Sequence, residues 1–121
     1  MVSMAPLSDL ERGLIAGLLI GQGSFGGDGR QPHVMLRMHV RHEALMCWLA
    51  ERFPRSRLYG PYHHGGRSYF QWTARGPALI DDLLPILEAV VGPELDGHTA
   101  DRLVAMRERY ADVIARRRGT S

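Results

Sequence analysis

The side chains in this chain best suited to chemistry are arginines, histidines, tyrosines and amides, and they recur with a period of two. Between Pro32 and Arg41, the residues His33, Met35, Arg37, His39 and Arg41 alternate with Val34, Leu36, Met38 and Val40. A strand sends successive side chains to opposite faces, so the apolar set points into a core and the basic set points out. A second stretch, Arg67 to Ala74, repeats the arrangement: Phe70 and Trp72 inward, Arg67, Tyr69, Gln71 and Thr73 outward, with Arg57 and Tyr59 beside them on a preceding strand. Two readings fit. Long charged side chains on exposed strands discourage edge pairing. Arginine, glutamine, histidine and threonine on a strand pair are also the types that read base edges from a β-ribbon in the major groove.

Other chemistries find less support. Six histidines and one cysteine invite a zinc site, but His39, His42, His63, His64 and Cys47 lack the short local spacing of a closed ligand set. No metal site is expected. Cys47 lies between Met46 and Trp48, which suits a core thiol rather than a nucleophile. The glycine-rich stretch Gly23 to Arg30 could cradle phosphate. It follows a helix instead of opening one after a strand, and no Gly-Lys-Ser/Thr is present. A short strand and a tight hairpin fit it better.

The elements that must position these residues are readable from caps and periodicity. Ser8 and Glu11 form a capping-box pattern, with Leu7 placed as a staple and Asp9 and Glu11 complementing the dipole of a helix over about residues 8 to 22. After Arg12 that helix is apolar on every side. Leu14, Ile15, Leu18 and Leu19 can fill a core, while Gly13, Gly17 and Gly21 line one face with Ala16 beside them. An all-round apolar helix must be buried all round. Each interior glycine costs about 1 kcal/mol against alanine, so close approach of a second helix is the expected compensation. His42 to Phe53 reads as a core helix with Leu45, Trp48, Leu49 and Phe53 as its stripe, stopped by Pro54. Arg57 to Tyr62 and Arg67 to Ala74 flank a turn at His63-His64-Gly65-Gly66. Gly76-Pro77 opens another helix, with Leu79, Leu83, Leu87 and Val90 apolar and Pro85 expected to kink or split it. Thr99 is expected to cap a last helix carrying Leu103, Met106, Tyr110 and Val113, and residues 116 to 121 read as a frayed basic tail.

With 121 residues, 45% of them hydrophobic, the expectation is one domain over residues 1 to 121. The formal net charge is only +2, yet all 15 basic side chains are arginine and the sequence pI is about 9.1. The lack of lysine fits either the base composition of the source genome or a preference for arginine's phosphate-binding fork. A lone cysteine makes no internal disulfide, which points to a reducing cytoplasm. The apolar run Leu14 to Ile20 is too short to span a bilayer, and acids rather than basic residues precede it, so neither membrane partner nor signal peptide is expected.

The stretch Ile15-Ala16-Gly17-Leu18-Leu19-Ile20-Gly21-Gln22-Gly23-Ser24-Phe25 resembles the LAGLIDADG motif of homing endonucleases, and the order of elements up to about Tyr110 is similar to a single module of that family. Residues Tyr69 to Thr73 echo its tyrosine-x-tryptophan strand. The resemblance implies an α+β fold of αββαββα order, with a four-stranded antiparallel saddle sheet and a C-terminal helix. It implies a homodimer joined through Gly13, Ala16, Gly17, Ile20 and Gly21. It also tips the outer face toward double-stranded DNA, with Arg30, Arg37, His39, Arg41, Arg57, Tyr59, Arg67, Tyr69, Gln71, Thr73 and Arg75 as contacts. Family members hold divalent metal through an acid just before the motif's last glycine. Here that position is Gln22, the other acid position is Ile20, and Gly97-His98-Thr99 stands where the family often has Gly-Lys-Lys. The resemblance therefore implies DNA binding with cleavage lost and no cofactor, Mg²⁺ being needed only for any cleavage that remains. An active endonuclease and a structural or protein-binding dimer are the rival readings.

Overall fold

Ser8 and Glu11 satisfy each other's backbone at the first helix start. The Ser8 hydroxyl accepts from the Glu11 N–H at 3.1 Å, and the Glu11 carboxylate accepts from the Ser8 N–H at 2.9 Å. In the computed structural model, which describes residues 6–119, this box opens α1, Asp9–Gln22. There follow β1 (Gly23–Gly27), β2 (Pro32–His39), α2 (Glu43–Arg52), β3 (Arg57–His64), β4 (Arg67–Arg75), α3 (Leu84–Val90), α4 (Pro93–Arg109) and α5 (Ala111–Arg118). The strands form one antiparallel sheet in the order β1-β2-β4-β3. This is the α+β arrangement that the periodicities predict.

The inward side chains of the sheet, Val34, Leu36, Phe70, Trp72 and Ala74, are buried in one apolar cluster with Ile15 and Leu19 of α1, Met46 and Leu49 of α2, and Leu84 and Leu87 of α3. Trp72 is the largest fully buried side chain in it. Its ring meets Phe53 edge-on at 5.6 Å. Its indole N–H donates to the Ser56 hydroxyl at 2.8 Å, and that hydroxyl donates onward to the Phe53 carbonyl at 2.6 Å. A buried indole needs such a partner. At the far end, the Tyr110 hydroxyl accepts from the Gly29 N–H at 3.0 Å. Its ring end fills the space where a Cβ on Gly27 would stand, so the β1–β2 turn is fastened by a residue 81 positions away.

Several expectations are corrected. On α1, Ala16 is fully buried and Leu14 is 50% exposed, the reverse of what the motif suggests. On α2 the buried positions are Met46 and Leu49, while Leu45, Trp48 and Cys47 are half-buried. The helix expected after Gly76-Pro77 is split: a π-helical turn, Ala78–Leu83, precedes α3, whose first turn holds Pro85. Strand β2 ends at His39, and Arg41 belongs to a 3-10 turn, Val40–His42. His63 and His64 belong to β3, so the hairpin turn narrows to Gly65-Gly66, both in the left-handed region that β-branched or bulky residues avoid.

The last helix also differs from expectation. It starts at Pro93 and breaks at Asp96, whose carboxylate accepts from both the N–H and the hydroxyl of Thr99. Asp96, not Thr99, is the cap. The basic tail is ordered through Arg118: Arg117 pairs with Asp81 at 2.6 Å and Arg118 with Glu88 at 2.8 Å, and Gly119 closes α5 in the left-handed conformation. Thr120 and Ser121 lie outside the described residues, as do residues 1–5. No helix among the described residues is long and apolar enough to cross a membrane.

The Trp72 contact gives a stability test. Ser56→Ala strips the indole N–H of its acceptor in a site with no exposure. Leaving a buried donor unsatisfied is expected to lower unfolding free energy by about 1–3 kcal/mol, measurable by urea denaturation.

Candidate functional site

Register places the outward residues in rows across the sheet. Arg37 of β2 faces Gln71 of β4, which faces Tyr59 of β3. One step along, His39 faces Tyr69 and Tyr69 faces Tyr62; in the other direction Met35, Thr73 and Arg57 align, and His33 pairs with Arg75. Arg67 pairs with His64 at the hairpin end. The structure thus brings together Arg37, His39, Arg57, Tyr59, Arg67, Tyr69, Gln71, Thr73 and Arg75. Arg41 sits just beyond β2, where its backbone N–H and its Nε donate to His39 Nδ1 at 3.0 and 3.2 Å. Arg30 lies in the β1–β2 turn, off the strand rows.

The centre of the face is cross-linked by neutral groups. Arg37 Nε donates to Gln71 Oε1 at 2.9 Å, and its guanidinium lies 5.7 Å from the centre of the Tyr69 ring. The Gln71 amide nitrogen is 3.4 Å from Thr73 Oγ1 and 3.5 Å from Met35 Sδ. Tyr62 packs on Tyr69 at 5.6 Å. Among the described residues no carboxylate pairs with Arg37, Arg41, Arg57 or Arg67; only Arg75 has one, Asp28 at 3.4 Å. A sheet face with unpaired guanidinium groups, exposed tyrosine and few acids is built to meet anions and flat π-systems.

At the end of α1, Gln22 is exposed and the Gly23 N–H closes on the Leu19 carbonyl. The neighbouring cation is one that sequence reasoning missed. Arg102 of α4 donates to the Gly23 carbonyl at 3.2 Å and to Thr99 Oγ1 at 3.3 Å, and its guanidinium lies 4.8 Å from the Phe25 ring. The signal for it was there: Asp96, Thr99 and Arg102 recur every third residue and share one side of a helix. Thr99 is fully buried and bonded to Asp96, whose carboxyl is held below the usual aspartate range chiefly by the Thr99 hydroxyl.

These residues do not fit a divalent metal. Gln22 offers a neutral amide, and Asp28 accepts from the backbone N–H groups of Arg30 and Gln31, both at 2.8 Å. Among the described residues no three His, Cys, Asp or Glu side chains are grouped to hold an ion.

Beside the sheet, α1 leaves one face open. At about 100° per residue Leu10, Gly13, Leu14, Gly17 and Gly21 share a stripe, while Ala16 falls about 100° from Gly17. Ala16 therefore turns into the core and is removed from the candidate interface, and Ile20 is half-buried against that core. Leu10 is 85% exposed, and a Cβ at Gly13, Gly17 or Gly21 would meet nothing among the described residues within 4 Å.

No family model and no curated protein sequence matches this chain. Solved structures do. The group I intron-encoded homing endonuclease I-CeuI, complexed with DNA, superposes with a TM-score of 0.63 at 16% identity over 88% of this chain. The chain has a homing-endonuclease-like fold. Two further structures agree: the homing endonuclease I-TnaI, with a TM-score of 0.60 at 17% identity over 93% of this chain, and the LAGLIDADG homing endonuclease I-LtrWI bound to target DNA, at 0.54 and 15% over 93%. The matched region spans 56%, 77% and 41% of those three chains respectively. Identities this low speak for the homing-endonuclease fold alone.

Asp28 supplies a pH test at the edge of the face. The backbone N–H groups of Gln31 and Arg30 hold its carboxyl below the usual aspartate range. A lowered folded pKa means the turn's stabilisation is fully present above about pH 4 and fades as pH falls through the lower folded value. The amide resonances of Arg30 and Gln31 are expected to titrate together in that acid window by NMR, and Asp28→Asn is expected to abolish the titration.

Proposed function

We propose that this protein binds double-stranded DNA as a homodimer and that it does not cleave it. The observation that carries the reading is the outer sheet face: Arg37, Arg57 and Arg67, with Arg41 just beyond β2, lie among Tyr59, Tyr62, Tyr69 and Thr73 with no carboxylate partner among the described residues. A β-sheet presenting such residues suits the phosphate rails and base edges of a duplex. Similarity in fold to endonucleases solved with DNA supports the same partner. Loss of cleavage is supported by Gln22, because a metal that neutralises phosphate and activates water is drawn by carboxylates rather than by one amide. DNA binding on this reading needs no cofactor; Mg²⁺ would matter only for residual cleavage. The half-buried Cys47, free of any disulfide, is in keeping with a cytoplasmic protein.

The decisive experiment is selection of bound duplexes from a random pool, with strand breaks assayed in the same tubes with and without Mg²⁺. The expected result is a preferred duplex recovered intact. Failure to retain any duplex at low salt would favour the structural-dimer reading, and Mg²⁺-dependent breaks by a pure sample, unaffected by Gln22→Ala, would favour an endonuclease using a different site.

Dimerisation is supported by the open stripe on α1, where glycine costs helix stability and nothing among the described residues of one protomer requires it. A partner helix packed there would. Gly17→Leu is expected to weaken such an interface by about 1–3 kcal/mol per site through overpacking, and more where two copies meet at a two-fold axis. Analytical ultracentrifugation checks this: an unchanged dimer would place the interface elsewhere.

A further inference from the structure

We infer that Arg37 reads a guanine in the major groove and that Gln71 is its positioning residue, not a base contact; the inference rests on the duplex-binding reading above. Arg37 is exposed, and Gln71 fixes which part of it can act. An Nε–H can only donate, so the Gln71 oxygen must be the atom that meets it at 2.9 Å. That assignment turns the Gln71 amide nitrogen toward Thr73 Oγ1 and Met35 Sδ. Both ends of the amide are thereby engaged within the sheet. A glutamine reads adenine with an oxygen and an N–H side by side; here both N–H groups have partners within the sheet, and the oxygen keeps one lone pair beside the Arg37 bond, so the pair cannot be offered together.

For Arg37 the consequence is a single usable edge. With Nε held by Gln71, the side-on fork of Nε and one terminal nitrogen is closed. The end-on fork of the two terminal nitrogens remains, and among the described residues no hydrogen bond takes either of them. Tyr69 lies 5.7 Å from the guanidinium carbon and is itself braced by Tyr62, so the plane of the fork is held from a second direction. Two parallel N–H donors match guanine, which presents O6 and N7 as adjacent acceptors. Adenine sets a donor beside its N7 and would face a like group. A phosphate also accepts from such a fork, but a phosphate contact carries no sequence information and can be made by any arginine along the backbone. Arg57 and Arg67, exposed on the same face and without an ion pair among the described residues, suit that role.

The test uses the full chain and the duplex recovered by selection, with each base pair of a half-site varied in competition binding. One position per half-site is expected to prefer guanine by about tenfold or more. Replacing that guanine by 7-deazaguanine, which lacks the N7 acceptor, is expected to remove most of the preference with the protein unaltered. Arg37→Ala should erase discrimination there while the other positions keep theirs, and Arg37→Lys should keep the salt dependence but not the discrimination. Gln71→Met, which removes the acceptor and leaves the charge, should weaken the preference at the same base pair without changing the salt slope. Uniform weakening by Arg37→Ala, with the salt slope falling by about one unit and every preference intact, would make Arg37 a phosphate contact and overturn this inference while leaving DNA binding in place. A parent protein that binds no duplex overturns both.

Discussion

Pairing of β2 with β4 in one register decides what both faces of the sheet can do. Leu36 opposite Trp72 and Val34 opposite Ala74 send apolar side chains into the core, and the same pairing sets Arg37 beside Gln71 and His39 beside Tyr69 outside. Side chains alternate with a period of two, so a slip of one residue would exchange the faces entirely. The register is held from within. Trp72 is wedged against Phe53 and hydrogen-bonded through Ser56, and neither contact survives a shift. The outer face is thus a product of core packing, and its cross-strand groups inherit their precision from a buried indole.

Helix α1 meets a different demand, since it must cover the sheet with one side and leave another open. Ile15, Ala16 and Leu19 are buried, while Leu10, Leu14 and the glycines are not. In an isolated chain that second stripe is a liability, because exposed leucine and interior glycine both count against a stable helix in water. The stripe makes physical sense once a second helix lies against it, which is why the dimer and the sheet face belong to one proposal. Two sheets related by a two-fold axis would present a longer surface than either alone.

Much of this was legible in the residues. The Ser8–Glu11 box, the period-two strands, the inward Phe70 and Trp72, and the Gly65-Gly66 turn are local signals, and local signals survive folding. What sequence reasoning missed is non-local or lies within a single helical turn of rotation. Ala16 adjoins the glycines in the chain, but its angle on the helix turns it inward. Thr99 has the chemistry of a cap, yet Asp96, three residues earlier, outcompeted it as a charged acceptor. The basic tail read as frayed because its partners, Asp81 and Glu88, lie about thirty or more positions back. Arg102 went unnoticed because its partner is a backbone carbonyl, which carries no mark in a sequence.

Charge shows why composition understates this face. A net +2 over the whole chain looks almost neutral, but the acids are not spread evenly. Asp81 and Asp82 engage Arg55 and Arg117, Glu88 engages Arg107 and Arg118, and Asp28 engages Arg75 at the sheet's margin. Those pairs leave Arg37, Arg41, Arg57 and Arg67, on and beside the outer sheet, without carboxylate partners among the described residues. Local potential rather than net charge governs an approaching polyanion, and it acts within about 10 Å at moderate salt. At the end of α1, Gln22 offers a neutral amide, and the Gly23 carbonyl beside it accepts from Arg102. On the proposed reading, guanidinium groups that meet no carboxylate among the described residues are free to meet phosphate instead, and the same shortage of carboxylates leaves little to attract a divalent metal.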